Sequence, residues 1–170
     1  MCDIRLFKSA CMDYQAASTL YHSPFQDEMF LNTVAYHLQQ CVEKMLKGAL
    51  ECVGVTVPHS HRISKLLQMI QHNGANLIIT EWVDEHAEML SEWEAESRYN
   101  MDFIVERRKI EKALEEIQFF LTQNGMMQTP RKELQNEQVR KKLLSFLPEN
   151  KRGCSDFELN GYYLMFAKRL

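Results

Sequence analysis

Thr33, Tyr36, His37, Gln40, Lys44 and Lys47 fall on one side of residues 33–47 if that stretch is helical, with Glu43 at the edge of the group. At 100° per residue these six positions share roughly a quarter of the helix circumference. The face carries an imidazole, an amide, a phenol and two ammonium groups. Such a set offers several hydrogen-bond donors and positive charge, which suits a phosphate or a nucleotide. Lys44 and Lys47 lie about one turn apart and can approach a single anion together. Gln40 precedes Lys44 by a turn, and His37 comes a turn earlier still. The same spacing also describes an ordinary polar helix face in which Glu43 pairs with Lys47 one turn on. Spacing leaves both meanings open.

The other reactive side chains say less. His59 and His61 sit one residue apart in a loop, but no third ligand follows at a usable interval, so no metal site is expected. His22, His72 and His86 read as capping or surface residues. Trp82 and Trp93, eleven residues apart, suit core packing or a dimer seam better than base stacking. Five cysteines, Cys2, Cys11, Cys41, Cys52 and Cys154, form no CxxC pair and read as reduced, mostly buried thiols. The sequence has no Gly-rich phosphate loop and no nucleophile elbow, and no cofactor is expected.

Helices must position these groups. Ile4, Phe7, Cys11, Tyr14 and Tyr21 predict a first helix over about 3–22, ended by Ser23-Pro24. Asp27 caps a second helix running to about Val53, where Gly54 stops it. Its apolar stripe is Leu31, Val34, Leu38, Cys41, Val42, Met45, Leu46, Ala49 and Val53. A third helix follows over about 61–72, with Ile63, Leu66, Leu67 and Ile70 inward, and Asn73-Gly74 breaks it. A fourth, over about 80–97, is strongly acidic. Asp102 caps a fifth helix to about Gln123, carrying Phe103, Ile110, Leu114, Ile117, Phe120 and Leu121. After a linker come a sixth helix over about 131–147, with Leu143 and Leu147, and a last one over about 155–168. Leu77-Ile78-Ile79-Thr80 is the one strand-like run, too isolated to make a sheet.

The whole chain has 170 residues and a net charge of −3, unevenly spread. Residues 1–125 hold 11 Lys/Arg against 18 Asp/Glu, net −7; residues 126–170 hold 9 against 5, net +4. The basic end is expected to pack on the acidic body, with a nucleic-acid contact as the alternative. No apolar run approaches the ~20 residues that a membrane span needs. No secretory or lipidation signal is visible, so a cytoplasmic protein is expected.

The run Tyr36-His37-Leu38-Gln39-Gln40-Cys41-Val42-Glu43-Lys44-Met45-Leu46-Lys47 resembles the signature helix of HEPN domains, which combines an aromatic-His start with Gln-Gln, Glu-Lys and a further Lys. Asp13 followed four residues later by Ala17, the segment Ser60-His61-Arg62-Ile63-Ser64-Lys65-Leu66-Leu67, and the pair Arg98-Tyr99 extend the likeness over about 10–123. The resemblance implies an all-α up-and-down bundle of four or five core helices, often dimeric. Residues 1–125 would form the bundle and 126–170 an extension of two helices packed on it. The implied function is a nucleotide- or RNA-binding helical module, with a small nucleotidyltransferase among its implied partners. A metal-independent endoribonuclease of the toxin–antitoxin type is the alternative, and a structural dimerisation module the second. His37, Gln40, Lys44, Lys47, Arg98 and Tyr99 form the implied ligand-binding set, with Arg98 and His37 as catalytic candidates. The family's ribonucleases carry a His four to six residues after an Arg. Here Tyr99, Asn100, Met101, Asp102, Phe103, Ile104 and Val105 follow Arg98, and that His is missing.

Overall fold

A computed structural model describes residues 4–24, 27–57, 59–100, 102–127, 136–147, 149 and 152, with the side chains of Arg98 and Tyr99 outside the description. Its described elements are all helices: α1 (Arg5–Tyr21), α2 (Met29–Cys52), α3 (Ile63–Asn73), α4 (Glu81–Glu85), α5 (Ala87–Tyr99), α6 (Arg107–Gln123) and α7 (Glu137–Ser145). The chain is an all-α helical bundle, as its periodicity predicts. The last expected helix, over about 155–168, lies outside the described residues, as does the start of the sixth.

α2 is the central rod. Leu38, Cys41, Val42, Met45 and Leu46 are fully buried along it, and α1, α3, α5 and α6 all pack against it. Its closest neighbour is α1, because a Cβ on Gly48 would lie 3.1 Å from the Phe7 ring. The N-cap of α2 is Glu28, without a side-chain cap bond, rather than the expected Asp27; the Asp27 carboxylate, one residue earlier, accepts from Met29 N at 2.9 Å. Gly54 and Gly74, where the second and third helices were expected to stop, both adopt positive φ, 79° and 60°. Val53, at the end of the expected stripe, is exposed.

Two expected helices are shorter than their periodicity suggests. The acidic helix breaks at His86 (φ −103°, ψ 16°), dividing α4 from α5. Glu81, Asp84, Glu85 and Glu88 would stack like charges at intervals of three and four along one continuous helix, which opposes its propagation. Trp93 is buried in the core on α5, so it cannot serve as a seam residue; Trp82 is half-buried and stacks on His86 at 4.5 Å. The next helix is capped at Glu106 and begins at Arg107, not after the expected cap Asp102. Asn32 on α2 donates to the Phe103 carbonyl and accepts from Val105 N at 3.0 Å, which holds residues 103–105 extended. The β-branched pair Ile104-Val105 suits that conformation.

Asn124, fully buried after α6, treats the strand-like run in the same way. Its amide donates to the Ile78 carbonyl and accepts from Ile78 N, both at 2.9 Å, so a side chain takes the place of a sheet partner. Tyr14 on α1 donates to the Leu114 carbonyl at 3.2 Å and ties α1 to α6. Cys11 and Cys41 are free and buried, whereas Cys52 is disulfide-bonded, a departure from the expectation of five reduced thiols. No helix among the described residues is long and apolar enough to cross a membrane.

Candidate functional site

The polar side of α2 is organised by two carboxylates. Asp13, which α1 brings against this side, receives Lys44 Nζ at 2.5 Å on one oxygen and His37 Nδ1 at 3.1 Å on the other. Six residues after His37, Glu43 gathers a second group. Lys47 Nζ donates to it at 2.8 Å, Gln39 Nε2 at 2.7 Å, and His61 Nδ1 lies 3.1 Å away. Gln40 donates to the Gln39 side-chain oxygen at 2.8 Å. The pairing of Glu43 with Lys47 expected from their spacing is therefore present, inside a larger network.

Glu43 is almost wholly enclosed, its side chain only 4% exposed. Burial pushes its carboxyl up, yet the hydrogen bonds from Lys47, Gln39 and His61, together with the Lys47 charge, outweigh burial and hold it below the ordinary glutamate value. The two lysines and two carboxylates cancel, so the group is neutral while both imidazoles are uncharged. Each imidazole has its Nδ1 turned to a carboxylate, which fixes that nitrogen as the proton donor. Nε2 then accepts from a partner when the ring is neutral and donates when it is protonated. The side chains of His37 and His61 are 27% and 51% exposed.

The structure thus brings His37, Gln40, Lys44 and Lys47 together on one side of α2, with both ammonium groups engaged by carboxylates rather than left for an outside anion. Arg98 and Tyr99 close α5 in the backbone, and their side chains lie outside the described residues. The organisers were not among the expected site residues. Asp13 figured only in a likeness, His61 in that likeness and as a rejected metal ligand, and Glu43 at the edge of the face as a partner of Lys47. A signal for Glu43 was available: Gln39 stands four residues before it and Lys47 four after, so one helical stripe places both within reach. Asp13 carried no such signal, because its partners lie on another helix. Among the described residues, no group of three or more His, Cys, Asp or Glu could hold a metal ion.

Residues 5–123 match the family model described as the HEPN domain. No curated protein and no solved structure matches the chain.

Proposed function

The chain belongs to the HEPN domain family, and from that premise we propose that it is a nucleotide- or RNA-binding helical module that works as a homodimer. The observation that carries this reading is the pair of carboxylate-held imidazoles, His37 on Asp13 and His61 on Glu43, each with its Nε2 uncommitted to a carboxylate. His37 and Glu43 are six residues apart on α2, a rise of about 9 Å. Groups so spaced can address the base or ribose and the phosphate of one nucleotide. Arg98 is expected to add charge to the ligand from the end of α5. A small nucleotidyltransferase partner rests on the range of the family alone.

Calorimetric titration of the full chain with ATP and with a short single-stranded RNA, in the presence of a chelator, tests the reading. His37→Ala and His61→Ala should each weaken binding about tenfold or more, the loss expected of a charge-assisted hydrogen bond. A wild-type protein that binds neither ligand at millimolar concentration would sink the proposal.

The same dyads favour one second reading, a metal-independent endoribonuclease, because a carboxylate on Nδ1 is how a general-base imidazole is commonly oriented. In that case chelator-treated protein would cut single-stranded RNA, and Arg98→Ala or His37→Ala would abolish cutting. We expect intact RNA, since no His follows Arg98 at four to six residues.

A further inference from the structure

The disulfide at Cys52 has few candidates for its other half. Of the remaining cysteines, Cys11 and Cys41 are free and buried, which leaves Cys2 and Cys154. The packing of α1 on α2 favours Cys2. The two helices run antiparallel: Phe7 meets Gly48, Cys11 lies within electrostatic reach of Cys41, and Asp13 meets Lys44 and His37. Moving back along α1 therefore moves forward along α2. Cys52 comes one turn after Gly48, on the same side of α2 that faces α1, and Cys2 comes five residues before Phe7. Ile4 already belongs to the start of α1, its carbonyl accepting from Lys8 N at 3.0 Å. From Ile4, two residues reach at most about 7 Å, enough to bring Cys2 to the end of α2. By contrast α7, which leads toward Cys154, does not pack along α1 or α2.

We propose that Cys2 and Cys52 form a reversible disulfide that pins the start of α1 to the end of α2. It closes by thiol–disulfide exchange with a low-molecular-weight disulfide of the glutathione type. The Cys52 thiolate attacks that disulfide and displaces one thiolate. The Cys2 thiolate then attacks the Cys52 sulfur of the mixed disulfide and displaces the second. The two protons lost by the cysteines pass to the two leaving thiolates, so the small disulfide is reduced as the protein is oxidised. Cys52 is half-buried and open to this attack. Burial pushes the Cys11 thiol up to about 12 and Cys41 upward too, so neither supplies a competing thiolate. The bond holds a helix end that has little else to hold it. The N-cap of α1 is Ile4, which has no side-chain oxygen, and no acidic residue stands in the first turn. Arg5 and Lys8 put positive charge at the positive end of the helix dipole. Asp13, about two turns on, holds Lys44 and His37 only while α1 stays on α2.

Peptide mapping of the full chain after equilibration with oxidised or reduced glutathione, with exposed thiols blocked by N-ethylmaleimide, tests the assignment. Oxidised protein should yield a Cys2 peptide joined to the Cys52 peptide. Reduced protein should carry the label on both, with Cys11 and Cys41 labelled only after denaturation. Reduction should also lower the melting temperature by roughly 10 °C, the scale expected for opening a loop of about 50 residues. Cys2→Ser should melt like reduced wild type and ignore the reductant, whereas Cys154→Ser should keep the full response. A Cys52 peptide joined to Cys154, or a Cys52 thiol that oxidised glutathione never converts to a protein disulfide, overturns the proposal. So does a Cys2–Cys52 bond whose reduction leaves the melting temperature unchanged. The map is made on wild-type protein, so it decides the pairing even if a serine variant does not fold.

Discussion

At the level of single residues, Glu43 and Thr80 make opposite predictions. Glu43→Gln breaks a buried charge pair and should cost about 3 kcal/mol at neutral pH. Because the Glu43 carboxyl is held below its ordinary 4.5, the folded protein binds fewer protons there than the unfolded chain. The stabilisation is thus complete above that value and is lost as the pH falls from it through the lowered folded value. Thermal melts of wild type and variant should therefore converge in acid; a gap that stays constant from pH 7 to pH 3 would refute this account. Thr80 is the contrary case. Its hydroxyl oxygen is buried and lacks a hydrogen-bond partner among the described residues, although Thr80 occupies the N-cap position of α4. Thr80→Val should raise stability by about 1 kcal/mol, read as a higher melting temperature. Only the Lys47 part of the Glu43 environment was legible beforehand, because helical spacing identifies a face and not what another element brings against it.

At the level of elements, helix existence was plain and helix ends were not. The apolar stripes of α2 and α3 were read almost residue for residue, since both bury one continuous face. α6 started four residues later than its pattern suggested, and the acidic helix divided in two. In the first case a distant side chain, Asn32, claims backbone groups that helix formation would need, and no local pattern can report that. Asn124 performs the same service for residues 77–79 and is fully buried. Asn124→Ala should strand the Ile78 N–H and carbonyl and cost about 2–3 kcal/mol. Hydrogen exchange should show the 75–80 segment losing protection first; uniform loss across the molecule would mean that Asn124 supports the bundle generally.

At the level of the whole molecule, the buried core is a single cluster that runs from Phe7 to Met126. Leu143 and Leu147 are buried but lie outside that cluster. We therefore expect a chain ending at Met127 to keep its helical circular dichroism and to melt cooperatively. A truncated chain without a cooperative transition would show that residues 128–170 complete the fold. The uneven charge is the other global feature. The acidic side of α4 and α5 repels phosphate, so a polyanionic ligand is expected to approach from the α1–α2 side, and its affinity should fall as salt rises.

The bond from the Tyr14 hydroxyl to the Leu114 carbonyl spans 100 residues of chain, whereas α1 and α2 are neighbours in sequence. Closing the longer loop costs more entropy, and it yields contacts only after the helices between have formed. The α1–α2 hairpin is thus suited to nucleate folding, and the docking of α6 across Tyr14 to be a late event. Loss of that hydroxyl should then be felt mainly in how fast the bundle opens and little in how fast it assembles.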